Sequence, residues 1–224
     1  MTDRVLVVMA KAPRPGHVKT RLLEHAAADD VVELYRSLVE DTIAMAQTIA
    51  GLEIAVMCPI GDAAAIRAWL GGVDVVQQKG KGLADALTAT FEHFQAKGRG
   101  RIIAFNSDSP HLPPHVLEGA FSALEANDLV VGPTADGGYY LVGARGAHAT
   151  LFDGNRLGTS SALDALLERA GTLGLRVART DPCYDVDVGA DLEQLAIELR
   201  AHPERAPRTA AYLARRNAAR DPAE

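Results

Sequence analysis

The chain has 224 residues, 48% apolar and 23% charged, with a net charge of −6, a size and balance that fit one α/β domain with a large core. The acidic excess argues against nucleic acid as a partner, whose footprint is a broad basic surface, and no apolar run nears the ~20 residues that span a bilayer. Strand-like sequence begins too early for a signal peptide, and Cys58 and Cys183 have neither metal-type spacing nor the density of a disulfide scaffold, so a cytoplasmic protein is expected.

Apolar strand candidates alternate with helical stretches along the chain. Val5–Met9 reads as a buried first strand and Asp30–Ile49 as a long helix. Glu53–Met57 and Val73–Val76 follow as strands, with a helix over Ala63–Leu70 between them. Leu83, Leu87, Phe91 and Phe94 recur at helical spacing and predict a helix over Leu83–Gln95. Arg101–Phe105 is a fourth strand, and the helix beyond it opens at Pro113-Pro114, where proline suits a first turn. Leu129–Val131 and Tyr139–Val142 are short strands around an Asp136-Gly-Gly turn. A helix over Ser161–Ala170, a strand over Leu175–Ala178 and a helix over Asp191–Arg200 complete the order. The alternation predicts an α/β, three-layer, Rossmann-like fold: a mostly parallel sheet flanked by helices, with ligands outside the carboxyl ends of its strands. Residues 1–200 read as a single domain. Residues 201–224 read as an Arg- and Ala-rich helical tail, solvated or packed, with a homodimer contact as the sharper alternative.

Five stretches could carry chemistry. After the first strand, Ala10 leads into Lys11-Ala-Pro-Arg-Pro-Gly-His-Val-Lys19-Thr-Arg21, which holds four fixed positive charges and no acid. A kinked basic loop at a strand end suits phosphate: lysine acts as a point charge, and Arg21 can grip two oxygens. Walker A spacing is absent, and the competing reading is a solvated charge run. Asp108, just past the fourth strand, can hold a hard cation such as Mg²⁺ against phosphate, or cap the next helix. Asp185 and Asp187, at i and i+2 on an extended segment, point the same way and could face a metal. The Asp136-Gly137-Gly138-Tyr139 turn allows close approach of an acceptor, or is an ordinary hairpin. Gln78-Lys79-Gly80-Lys81-Gly82-Leu83, with two glycines and two lysines before a helix, could serve a base or phosphate contact, or form a surface turn.

Taken together, Lys11-Ala-Pro-x-Pro-Gly-x-Val-Lys-Thr-Arg-Leu22, Ser107-Asp-Ser-Pro110 and Gly132-Pro-x-x-Asp-Gly-Gly-Tyr-Tyr-Leu141 resemble the signature of the DUF2064 family. These are glycosyltransferase-like proteins, also labelled radical-SAM/selenodomain-associated transferase 1. The resemblance runs from about Val5 to Leu195 and implies the GT-A fold of the nucleotide-diphospho-sugar transferase superfamily. Asp185-Val-Asp187-Val-Gly-Ala-Asp191-Leu192 is similar to the D-x-D-T-P-E-D-L element of that superfamily, which implies Asp187 as a second metal ligand beside Asp108. Two departures stand out. Asn155-Arg-Leu-Gly-Thr-Ser160 replaces an expected Pro-Trp-x-Thr-Ser stretch, and Val188-Gly189 replaces Thr-Pro.

The resemblance implies a nucleotide-dependent transferase using Mg²⁺ or Mn²⁺, with an NTP or NDP-sugar and a small acceptor as partners. In the first reading NMP passes from an NTP to a small phosphorylated or phosphonate acceptor. Lys11, Lys19 and Arg21 then stabilise departing pyrophosphate, Ala10, Gly80 and Gly82 border the nucleotide, and Asp136, Gly137, Gly138 and Tyr139 face the acceptor. The second reading is glycosyl transfer from an NDP-sugar, with His111 or Asp136 as base. The third is a nucleotide-binding domain without catalysis.

Overall fold

The computed structural model describes residues 2–24, 26–153 and 157–220. Seven strands form one sheet: β1 (Arg4–Met9), β2 (Glu53–Cys58), β3 (Asp74–Gln77), β4 (Arg101–Asn106), β5 (Leu129–Pro133), β6 (Tyr139–Arg145) and β7 (Val177–Arg179), in the order β3-β2-β1-β4-β6-β5-β7. Six run parallel, and β6 alone is antiparallel to both its neighbours, pairing Phe105 with Leu141 and Gly132 with Leu141. This reversal places the β5–β6 turn at the carboxyl edge of β4, the same edge as the loops after the parallel strands.

Period-two alternation makes the sheet a septum between two cores. Leu6, Val8, Val56, Ile103, Phe105 and Val130 face one side, against α1 (Ala28–Gln47), α2 (Ala63–Trp69) and α4 (Pro114–Ala123). Val5, Val7, Met57, Ile102, Ala104 and Val131 face the other, against α3 (Leu83–Ala96) and α5 (Ala162–Thr172). Val5 through Val8 are wholly inaccessible to solvent, as a central parallel strand covered on both faces must be. This is the α/β, three-layer GT-A architecture.

Several element ends lie a few residues from the sequence reading, the last strand among them. The last strand begins at Val177 because Arg176 turns onto Asp128, donating its backbone N–H at 2.9 Å and its guanidinium at 3.1 Å to the same carboxylate oxygen. The C-terminal segment forms α7 (Pro207–Arg220), which packs on α1 beside α6 (Gly189–Ala201). Asp41 of α1, buried, accepts the N–H of Arg208 at 3.2 Å, the N–H of Thr209 at 2.8 Å and the Thr209 hydroxyl at 2.8 Å. A carboxylate so placed satisfies the free donors of the α7 N-terminus and opposes the positive end of its dipole. Among the described residues no helix is long and apolar enough to cross a membrane.

Candidate active site

The basic loop is shaped by two side chains outside it. Tyr35 of α1 accepts the Lys11 N–H at 2.8 Å and donates to the Lys11 carbonyl at 3.3 Å. Asp62, buried ahead of α2, accepts the Ala12 N–H at 2.8 Å and pairs with Arg14 at 2.6 Å. Arg14 therefore fixes the loop, which leaves Lys11, Lys19 and Arg21 on the wall of a cleft of about 520 Å³. Burial, then the nearby Asp108 charge, holds the Tyr35 hydroxyl far above its ordinary range, so it stays protonated.

Lys19 is the centre of the site. It is the one non-glycine residue with positive φ (44°) among those described, a conformation that costs energy and persists only where its surroundings impose it. Its side chain, 5% exposed, places Nζ 2.8 Å from Asp108 Oδ2 and 2.8 Å from Asp187 Oδ1. Burial alone would lower the ammonium pKa, but the charges and hydrogen bonds of the two carboxylates outweigh it, and the net shift is upward. Arg21 lies 3.5 Å from Asp187 and is largely exposed.

The segments bearing the two acids are tied together. Val186 N–H donates to the Asp108 carbonyl at 2.9 Å, and the Ser109 hydroxyl to the Tyr184 carbonyl at 2.8 Å. Asp191, in the first turn of α6, accepts the N–H groups of Asp187 at 2.9 Å and Val188 at 2.8 Å, which fixes the backbone under Asp187. Two carboxylate oxygens thus converge on one point already filled by a cation. That donor set fits a divalent ion such as Mg²⁺ or Mn²⁺, which takes one or two protein carboxylates and completes its shell with water and phosphate. Among the described residues no cluster of three His, Cys, Asp or Glu forms a fuller cage.

A second cavity of about 530 Å³ adjoins the cleft, sharing Met9, Arg21, Leu83, Asn106 and Asp187 with it. Asp136, Gly138, Tyr139, Thr159, Ser160 and Asp185 line it. Asp185 faces this cavity while Asp187 reaches both; burial, then the charge of Asp187, raises the Asp185 pKa. Asp136 Oδ1 accepts from the Thr134 hydroxyl and from Gly138 N–H at 3.1 Å, so one of its oxygens holds the turn. Gly137, at φ 86°, has its own packing reason: a Cβ there would lie 2.0 Å from the Ser160 carbonyl oxygen. Asn155 and Arg156, where the expected Pro-Trp motif is missing, lie outside the described residues.

On the far side of the cleft the wall is formed at Gln78 and Leu83. Gly80 is packed on Asp85, where a Cβ would come within 2.3 Å, and Gly82 begins α3 with φ 95° in open space. Ala10 lines the cleft floor and continues the sheet by donating to the Met57 carbonyl at 3.0 Å. His111 is 4% exposed, stacked on Tyr184 at 4.2 Å between centroids, with Nε2 3.5 Å from Cys183 Sγ. It lies in the supporting layer and cannot meet an acceptor as a base. Burial keeps its imidazole neutral, with a pKa lowered to about 4, and pushes the Cys183 thiol up to about 11. Sequence reasoning missed Tyr35 and Asp62, whose only local hint was Asp62 preceding the Ala63 helix, which reads as a cap; Gln78 stood in the glycine- and lysine-rich stretch but had no role of its own there.

The sheet carries two acids and a basic loop at its carboxyl edge, and known structures share its fold. A candidate nucleotide-diphospho-sugar transferase from Desulfovibrio desulfuricans G20 superposes with a TM-score of 0.90 at 29% identity, covering 97% of this chain and 96% of that one. CMP:2-keto-3-deoxy-manno-octonic acid synthetase complexed with CTP shares the fold at a TM-score of 0.58 and 12% identity, over 89% of this chain and 99% of that one. Rv0371c of Mycobacterium tuberculosis H37Rv in complex with manganese matches at 0.50 and 20% identity, over 86% and 97%. No curated protein sequence matches the chain. Residues 42–159 match the family model described as "Uncharacterized protein conserved in bacteria (DUF2064)", and the chain belongs to that family.

Proposed function

We propose that the protein is a divalent-metal-dependent nucleotidyltransferase. An acceptor oxygen attacks the α-phosphorus of an NTP, the bond from that phosphorus to the bridging oxygen of the β-phosphate breaks, and pyrophosphate leaves. The observation that carries this reading is the meeting of Lys11, Lys19 and Arg21 with Asp108 and Asp187 on one cleft. Loss of pyrophosphate concentrates charge on the leaving group, which fixed cations stabilise. Lys11 makes no ion pair among the described residues, and Arg21 only the long one to Asp187, so both remain available to phosphate oxygens. Asp108 and Asp187 would hold Mg²⁺ or Mn²⁺, which neutralises phosphate charge when bound; the manganese complex of Rv0371c supports a divalent metal and the CTP complex of the synthetase a nucleotide. The Lys19 ammonium holds the same two oxygens, and would be free to meet phosphate if they held a metal instead. The second cavity receives the acceptor, a small phosphorylated or phosphonate molecule whose single anionic group would meet Arg21 at the boundary.

Glycosyl transfer has one observation in its favour: carboxylates and hydroxyls of Asp136, Asp185, Thr159 and Ser160 also suit the sugar of an NDP-sugar. Thermal-shift measurements with Mg²⁺, each of the four NTPs and UDP-, GDP- and ADP-sugars separate the two. Metal-dependent stabilisation strongest with an NTP, abolished by EDTA, is expected; a preference for an NDP-sugar would move the assignment to glycosyl transfer.

A further inference from the structure

The order of strands at the carboxyl edge acts as a ruler. Gln78 follows β3, Pro59 follows β2, Lys11 lies just past β1 and Asp108 just past β4, and all four line one cleft. Neighbouring strands lie about 4.8 Å apart, so the edge from β3 to β4 spans roughly 14 Å. If phosphates occupy the β1–β4 end, where Lys11, Lys19 and the two acids stand, the rest of a nucleotide must extend toward β2 and β3.

The walls at that end are Met57, Pro59 and Leu83, apolar surfaces against which a flat ring can lie. Gln78 is the polar side chain that the segment after β3 contributes to the cleft lining. Its backbone N–H donates to the Cys58 carbonyl at 2.8 Å, which pins its Cα beside β2. The side chain is half-buried, and its amide makes no hydrogen bond among the described residues. An amide carries a donor and an acceptor side by side, which is what a nucleobase edge presents in complement.

We propose that Gln78 is the base-reading residue of the cleft, taking the hydrogen-bonding edge of a nucleobase between Met57, Pro59 and Leu83. The proposal rests on the nucleotide reading above and adds to it the residue that sets which nucleotide is preferred. Gln78 would contribute nothing to phosphate binding, and its effect would appear only in the ranking of bases.

Calorimetric titration with Mn²⁺ tests this, using tripolyphosphate and each of the four NTPs on the wild type, Gln78→Leu and Gln78→Glu. Tripolyphosphate affinity is expected to be the same in all three. Gln78→Leu should weaken the preferred NTP about tenfold and bring the four together, the worth of one paired edge. Gln78→Glu, an acceptor only, should shift the ranking toward guanine, which offers adjacent N–H donors. An unchanged ranking in Gln78→Leu, or no base preference in the wild type, would overturn the proposal and leave the phosphate site standing. Failure of tripolyphosphate to bind wild type would instead overturn the nucleotide reading on which it rests.

Discussion

Replacing Lys19 by Met keeps a side chain of similar length in a buried channel and deletes one charge. Asp108 and Asp187 are then left facing each other across the space that the ammonium held at 2.8 Å from each. Breaking a fully buried pair costs about 3–5 kcal/mol. Here the lysine is 5% exposed but the carboxylates are 24% and 42% exposed, and water at the acids reduces the cost to about 2–3 kcal/mol. In a domain of this size that corresponds to a fall of roughly 4–12 °C in melting temperature. Because the ammonium pKa is raised above its ordinary 10.5, this contribution is complete at neutral pH and fades only as pH rises through the higher folded value. The distinguishing result comes with metal. Freed of their internal competitor, the two acids of Lys19→Met should bind Mn²⁺ alone about tenfold more tightly than wild type, so that Mn²⁺ restores much of the lost melting temperature. The same variant should lose affinity for metal–NTP more than for metal–NDP-sugar. Wild-type stability, or weaker binding of Mn²⁺ alone, would refute the placement of Lys19 as the cation that shares the acids.

Asp41→Ala removes three hydrogen bonds from the α7 N-terminus and should cost about 2–4 kcal/mol, with α7 becoming the first site of limited proteolysis while NTP binding persists. His111, at about 4 in the fold against an ordinary 6.5, takes up protons only in the unfolded chain between those values, so stability is full above pH 6.5 and falls as pH drops toward 4. His111→Gln should flatten that acid-side loss, worth up to about 3 kcal/mol, in urea melts from pH 7 to 4. Gly137→Ala drives a Cβ into the Ser160 carbonyl at a backbone conformation L-residues avoid, and should disturb the second cavity. Steady-state kinetics should then show a raised acceptor KM with NTP binding unchanged.

Features that depend on neighbouring residues are legible in the sequence. The apolar runs become the central strands, Pro114 opens α4, and Leu87, Phe91 and Phe94 form the buried face of α3. The loops expected at strand ends do gather on one edge, because parallel strands present every carboxyl end together and the reversed β6 adds the Asp136 turn to them. What stays hidden is partnership across long separations. The four charges of the basic loop look equivalent in one dimension, yet Arg14 belongs to Asp62, 48 residues away, and Lys19 to Asp187, 168 residues away. The C-terminal arginines look like a solvated face until Asp41 is seen to receive the start of their helix. The stretch from Gln78 to Leu83 is marked by its glycines and lysines, but the Gln78 amide acquires meaning only from the apolar wall of the cleft.

The most direct test is calorimetric titration of the NTP preferred in thermal shift, with Mn²⁺ and with EDTA, into wild type, Asp108→Asn and Asp187→Asn. Wild type should bind only with Mn²⁺, and each substitution should weaken that binding at least tenfold while far-UV spectra stay native. Metal-independent binding, or wild-type affinity in both variants, would contradict a catalytic centre built on Asp108 and Asp187.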